Sequence, residues 1–261
     1  MKKLVLALTA VAAFTGSAMA ADMAPRTYSK AAPLAAPVIS WTGCYIAGGG
    51  GGAMTKNDHN DFLTAAPFTN LSPNLSTGAD GWFGTVQAGC DYQFNNFVVG
   101  VFGDYDFMSV KGDISTGGIL ASALTGSQKL DSQWAIGGRA GYLVLPQLLT
   151  YVSGGYTQAH WTSTTLSGFF APAAVATLPG STKGGWFIGS GDEYALSFLP
   201  GLFWKTEYRY SEFDRANVTI NAFATGIPTG ISETERFHEH SVRSELVYRF
   251  NWGGAPIAAR Y

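Results

Sequence analysis

Four histidines, two cysteines and a few acids are the residues of this 261-residue chain with types suited to chemistry. His238-Glu239-His240 would set two imidazoles on one face of a strand. A zinc site needs a third ligand, and no further His or Cys cluster supplies it, so the tripeptide reads as a solvated strand end and no metal is expected. Asp104, Asp106, His59 and His160 are the acid and base types of a hydrolase, but nothing in their spacing requires them to meet. No catalytic residue is assigned. The run Gly48 to Gly52 lacks the Gly-Lys-Ser/Thr that completes a phosphate loop, so no cofactor is expected either.

The stretch FWKTEYRYSEF, Phe203 to Phe213, shows what must position these groups. Lys205, Glu207 and Arg209 alternate with Trp204, Tyr208 and Tyr210, which gives one strand a charged face and an aromatic face. A soluble sheet would bury the aromatic face. A transmembrane barrel would turn it to lipid and keep the charges inside.

Compartment and composition favour the second arrangement. Lys2 and Lys3, the apolar run Leu4 to Phe14 and Ala18-Met19-Ala20 read as a secretory signal, residues 1–20, cut after Ala20. The run is about half the roughly 20 residues a spanning helix needs, so it is no anchor. Residues 21–40, with Pro25, Pro33 and Pro37, read as a Pro/Ala-rich leader. Net charge is only -2, and losing two signal lysines makes it slightly more negative, too weak a field to suggest a nucleic-acid partner. Charged residues make up 13% and aromatics 14%, yet past the signal no apolar run reaches the length of a membrane helix. That combination suits an all-β fold: an eight-stranded antiparallel up-and-down transmembrane barrel over residues 41–250.

Eight stretches of strand character run approximately 41–53, 81–94, 97–110, 132–145, 148–162, 185–198, 202–214 and 239–250. Asn95-Asn96, Pro146-Gln147 and Leu199-Pro200-Gly201 make tight turns. The other links, near 54–80, 111–131, 163–184 and 215–238, are long. Strict alternation puts short periplasmic turns at one end of a meander and long external loops at the other. Trp82, Trp134, Trp161 and Trp186 then fall near the long-loop rim, and Trp41, Trp204 and Trp252 near the opposite rim, as an aromatic girdle at the two membrane interfaces.

Parity sorts the faces, because Lys or Arg on the lipid face near the midplane costs about 2–4 kcal/mol. It turns Trp82, Val86, Tyr92, Val99, Tyr105, Ile136, Tyr142, Leu246 and Phe250 outward. Inward it turns a charge network of Arg139, Glu193, Lys205, Glu207, Arg209, Arg243, Glu245 and Arg249, with Asp91, Asp104 and Asp106 on the same face of their strands. An eight-stranded barrel is just wide enough for side chains to fill it, so opposite charges are expected to pair and block open diffusion. The glycines at 48–52, 137, 138, 141, 189 and 191 would make room for these long side chains. Cys44 and Cys90 share parity near the tight-turn end of neighbouring strands, which admits a cross-strand disulfide as well as two unpaired thiols.

WTGCYIAGGGGG, GWFGTVQAGCDYQFNNFVVGVFGD, GGRAGYL, LLTYVSGGY, GWFIGSGDEYAL, WKTEYRYSEF and VRSELVYRF, in this order from Trp41 to Phe250, resemble successive strands of the small outer-membrane immunogenic proteins. These are a porin-superfamily group of surface antigens with an outer membrane protein A-like barrel. The resemblance implies a bacterial outer-membrane location, antigenic external loops and a role in envelope integrity without catalysis. It implies as partners outer-membrane lipid and lipopolysaccharide, the barrel assembly machinery, and host or surface ligands at the loops. A narrow pore for ions or small solutes is the alternative function, and a membrane-embedded hydrolase a more remote one. Cys44 and Cys90 depart from the family pattern, as do Phe102 at a lumen position and Asp192 on the lipid face. So does the extension NWGGAPIAARY, residues 251–261, beyond the terminal aromatic matched by Phe250.

Overall fold

The computed structural model describes residues 39–115, 124–168 and 171–250. The expected signal 1–20, the leader up to residue 38, Trp252 and the extension 251–261 lie outside the described residues. Within them the chain forms eleven strands and no helix: β1 (Gly43–Leu63), β2 (Leu75–Phe94), β3 (Phe97–Ser115), β4 (Leu124–Leu145), β5 (Leu148–Trp161), β6 (Thr164–Gly168), β7 (Ala171–Leu178), β8 (Ser181–Ala195), β9 (Leu202–Phe213), β10 (Ala216–Ala222) and β11 (Pro228–Phe250).

All pairings are antiparallel. In the lower half the order β1-β2-β3-β4-β5-β8-β9-β11 closes on itself as β11 returns to β1, from Cys44↔Phe250 up to Leu63↔Ile231. This is the expected eight-stranded barrel. In the upper half β6, β7 and β10 take the places of β5, β8 and β9, so the ring continues upward with the same eight paths. Three paths are interrupted, at 162–163, 179–180 and 214–215.

The long links are therefore mostly not loops, which corrects the expected boundaries. β1 runs ten residues past Ala53, β2 begins at Leu75, and β6, β7 and β10 occupy the two later links. The reason is that outward residues above the membrane are mostly polar, such as Lys56, Ser76, Lys111 and Arg236. Apolar alternation then vanishes while the main-chain ladder continues. The tight turns at 95–96, 146–147 and 199–201 are present, with Asn95 at φ 53° and Gly201 at φ 85°.

The outer wall carries one apolar band. Ile46, Val86, Val101, Ile136, Val152, Ile188 and Leu246 are exposed on it, bounded above by Met54, Trp82, Phe107, Trp134 and Trp186 and below by Tyr92, Phe94, Tyr142, Trp204 and Tyr248. Phe97 to Phe107 and Trp134 to Val144 each have the roughly 9–11 residues that a tilted spanning strand needs. Asp192 is also exposed on this wall, near its lower edge, where Thr150 Oγ1 donates to Asp192 Oδ1 at 2.6 Å. Cys44 and Cys90 face outward too and are joined in a disulfide, with Cα atoms 3.9 Å apart.

Two of the seven tryptophans depart from the girdle reading. Trp41 is 0% and Trp161 2% exposed, both inside the barrel. Trp41 precedes β1, so its face is not set by strand parity. Its indole N–H donates to Pro146 O at 3.1 Å. Trp161 shares inward parity with Tyr151, Thr157 and Ala159 on β5 and stacks on Phe237 at 4.3 Å between ring centroids.

Candidate functional site: the filled lumen

The interior is stacked in layers because alternate residues of every strand must share a narrow cylinder. At the lower mouth, Trp41, Tyr45, Val98, Leu143, Leu149, Phe203 and Val247 form an apolar plug. Against it sits a square of two arginines and two acids. Arg139 donates to Asp91 through Nε and Nη2 (2.9 and 2.5 Å) and to Glu193 through Nη1 (2.9 Å). Arg249 donates to Glu193 Oε1 through Nη2 (2.7 Å), to Asp91 Oδ2 through Nη1 (2.6 Å) and to Trp41 O (3.2 Å). Each charge thus meets two of opposite sign, the condition under which burial is tolerable. The Arg249 guanidinium lies 5.0 Å from the ring centroids of Trp41, Tyr45 and Phe203, so the plug and the square are one body.

The next layer spans the middle of the barrel. Lys205 Nζ meets Glu245 Oε2 and donates to Gln87 Oε1, both at 2.5 Å. Arg209 donates through Nη1 and Nη2 to Asp104 (3.2 and 2.9 Å) and through Nε to Glu207 Oε1 (2.9 Å). Arg243 Nη2 donates to Asp106 Oδ2 at 3.0 Å, and Tyr151 gives its hydroxyl proton to Glu207 Oε2 at 2.8 Å. Above lie Phe83, Met108, Val110, Leu130, Trp161, Phe213 and Phe237, a second apolar layer.

All eight network residues read from the sequence are buried here. Sequence reasoning left out Asp91, Asp104 and Asp106 as their partners, although parity had turned all three inward. It also missed Lys183, Glu233 and Glu235 of the upper barrel, which keep the inward parity of Glu193 and Glu245 beyond the expected strand ends, where residue type no longer marks the faces.

Glycine has a second use besides room for side chains. A Cβ on Gly100 would come 1.9 Å from Asp91 Oδ1, so this glycine does make space for the square. At Gly49 the obstacle is main chain: a Cβ there would lie 2.0 Å from Ser244 O, across the β1–β11 closure.

The candidate chemical groups do not converge. Asp104 and Asp106 are engaged by arginines in the middle layer. His160 sits on the outside with Nδ1 2.7 Å from Asp131 Oδ1. His59 is inside the upper barrel. His238 and His240 share the outer face, as read, but each is held by a tyrosine: Tyr210 Oη is 2.9 Å from His238 Nδ1, and Tyr208 Oη 2.6 Å from His240 Nδ1. Glu239 between them points inward. Among the described residues no group of three or more His, Cys, Asp or Glu could hold a metal ion.

A closed antiparallel ring, an apolar outer band edged by aromatics and a charged interior define a β-barrel of the bacterial outer membrane. The chain is 35% identical over 263 residues to the 31 kDa outer-membrane immunogenic proteins of Brucella melitensis and Brucella suis, covering 96% of this chain and 100% of each relative. It belongs to that family of outer-membrane immunogenic proteins. No family model matches the chain. Among solved structures it is similar to the outer membrane protease OmpT of Escherichia coli, with a TM-score of 0.50, 10% identity and coverage of 81% of this chain and 98% of the other. OprG of Pseudomonas aeruginosa gives a TM-score of 0.48 at 13% identity, covering 81% and 99%. At 10% identity the likeness to OmpT speaks for the fold alone.

Proposed function

We propose that the protein is a closed wall element and surface platform of the outer membrane, contributing to envelope integrity without catalysis. The observation that carries this reading is the unbroken filling of the lumen, from the Trp41 plug through two ion-pair layers to the Trp161 layer. A solute would have to displace arginines that are each held by two acids, which costs several kcal/mol. What supports the absence of catalysis is that Asp104 and Asp106 are engaged by Arg209 and Arg243 inside the lumen, whereas His160, His238 and His240 lie on the outer face.

The polar upper barrel is the part that would meet lipopolysaccharide headgroups and host or surface ligands. The outward row Leu246, Tyr248 and Phe250 of β11 is the aromatic strand that the assembly machinery would read. The test is single-channel conductance of the purified full-length protein in a planar bilayer. Baseline current is expected for the native protein, and it should persist when Trp41→Ala and Phe203→Ala remove the lower plug, because the ion-pair layers and the Trp161 layer still fill the lumen. Steady conductance of the native protein would overturn the closed reading in favour of a narrow pore.

A further inference from the structure

Above the membrane band, the register sets Asp61 of β1 directly opposite Glu233 of β11. Both point into the upper barrel, the collar, and are 3% and 0% exposed. Like charges facing each other across a ladder repel, and burial removes the water that would screen them. The groups around the pair are few. His59 of β1 has Nε2 3.8 Å from Glu233 Oε1. Glu235 of β11 is next along the inward face, and Lys183 of β8 is paired with it. Gln128 of β4 also donates to Glu235, at 3.3 Å. β3, β6, β7 and β10 present the apolar Ile114, Leu166, Leu178 and Ile220, and β2 buries no titratable group in the collar. Ser72 accepts the Asp61 main-chain N–H at 2.8 Å, yet both Glu233 carboxyl oxygens and Asp61 Oδ1 are without hydrogen-bond partners.

The wall beside the pair is incomplete. Val218 of β10 is the cross-strand neighbour of Glu233. On its other edge β10 pairs with β7 only at Asn221↔Thr177 and Ala222↔Ala176. Below, Asp214 N donates to Gly184 O at 2.8 Å. Between these two points, residues 178–183 and 215–220 face each other without a main-chain bond. The Lys183–Glu235 pair ties the two sides together from within.

We propose that Asp61 and Glu233 share one proton and act as an acid-fastened latch for the collar, which loosens along the 178–183/215–220 seam when that proton leaves. A carboxyl that keeps its proton can donate to the carboxylate opposite, which satisfies both at once and removes one charge. If Glu233 is ionised instead, three buried carboxylates compete for Lys183, and its brace across the seam weakens.

Burial pushes the Glu233 carboxyl from 4.5 up to about 9, with the charges of Glu235 and Asp61 adding to the rise and Lys183 opposing it. Burial raises Asp61 as well, against the attraction of His59. In the unfolded chain Glu233 ionises near its ordinary value. Between that value and about 9 the folded collar holds a proton the unfolded chain lacks, so stability falls as pH rises across this window. This is the reverse of an acid held in a salt bridge.

Hydrogen exchange of the full chain in lipid, corrected for the intrinsic chemical rate, tests this at about pH 5 and about pH 10. Protection of residues 171–183 and 215–222 should fall about tenfold or more at the higher pH, with β3 between Phe97 and Phe107 unchanged. Glu233→Gln should keep the seam protected at both values. It should also remove part of the protonated-carboxyl infrared absorption expected of the native protein near neutrality. Asp61→Asn is the second arm and should likewise blunt the loss, since facing repulsion cannot arise with one partner neutral. Seam protection that is equal at both values in the native protein, or a pH response unchanged in both variants, would overturn the latch.

Discussion

Arg139 grips Asp91 with two parallel hydrogen bonds, 2.9 and 2.5 Å long, joining β4 to β2 through the lumen over 48 residues of sequence. Both side chains are buried, so the bridge is better judged by what remains when one half is lost than by its own strength. Arg139→Met leaves Asp91 and Glu193 sharing Arg249 alone. A loss of about 3–5 kcal/mol in urea-unfolding stability is expected for the single change. Arg139→Met combined with Asp91→Leu restores charge balance around the Arg249–Glu193 pair and should recover most of that loss. An unfolding midpoint for the double variant as low as that of the single one would contradict this account of the square.

Closure of the ring is sensitive to one atom at β1. Gly49→Ala would drive a Cβ to within 2.0 Å of Ser244 O in the facing strand, and main chain cannot swing aside as a side chain can. At the neighbouring Gly48 the nearest atom is Thr85 O at 3.9 Å, an ordinary contact. Gly48→Ala should therefore assemble and keep the faster gel mobility of an unheated, folded barrel. Gly49→Ala should migrate largely as unfolded chain. Equal assembly of both variants would show that β1 and β11 can separate enough to admit a methyl group.

How much of this was readable in advance follows from how much signal each element carried. Within the band most outward positions are apolar and a charge is costly outside, so Ile136 against Arg139, or Tyr208 against Arg209, declares its face. Above the band Lys56 and Asp58 face out while Asn57 and His59 face in, and nothing in residue type distinguishes the two rows. The continuation of β1 to Leu63, and with it the opposition of Asp61 and Glu233, depends on pairing with β11, whose register is invisible in either segment alone. The cysteines were undecided for a related reason. Parity put Cys44 and Cys90 on one face, but only the register Cys44↔Cys90 makes them direct neighbours.

Trp161 and Trp186 look alike in sequence, each near the upper end of a strand, but they stand on opposite sides of the wall. Trp161 packs edge-on to Phe213 at 5.1 Å, stacks on Phe237, and lies 5.4 Å beneath the Lys183 ammonium. Trp186 is exposed among the outer aromatics, with its ring 5.7 Å from that of Tyr210. Truncating a buried indole removes both its transfer free energy and its packing, so Trp161→Ala should cost about 3–5 kcal/mol of unfolding stability. The same truncation at Trp186 opens no cavity and should cost about 1 kcal/mol or less in detergent. Brominated lipids, which quench indoles they touch, should quench the fluorescence component lost in Trp186→Ala and leave that lost in Trp161→Ala untouched. Lipid quenching of the Trp161 component would return it to the girdle, and with it would go the second apolar layer that closes the lumen.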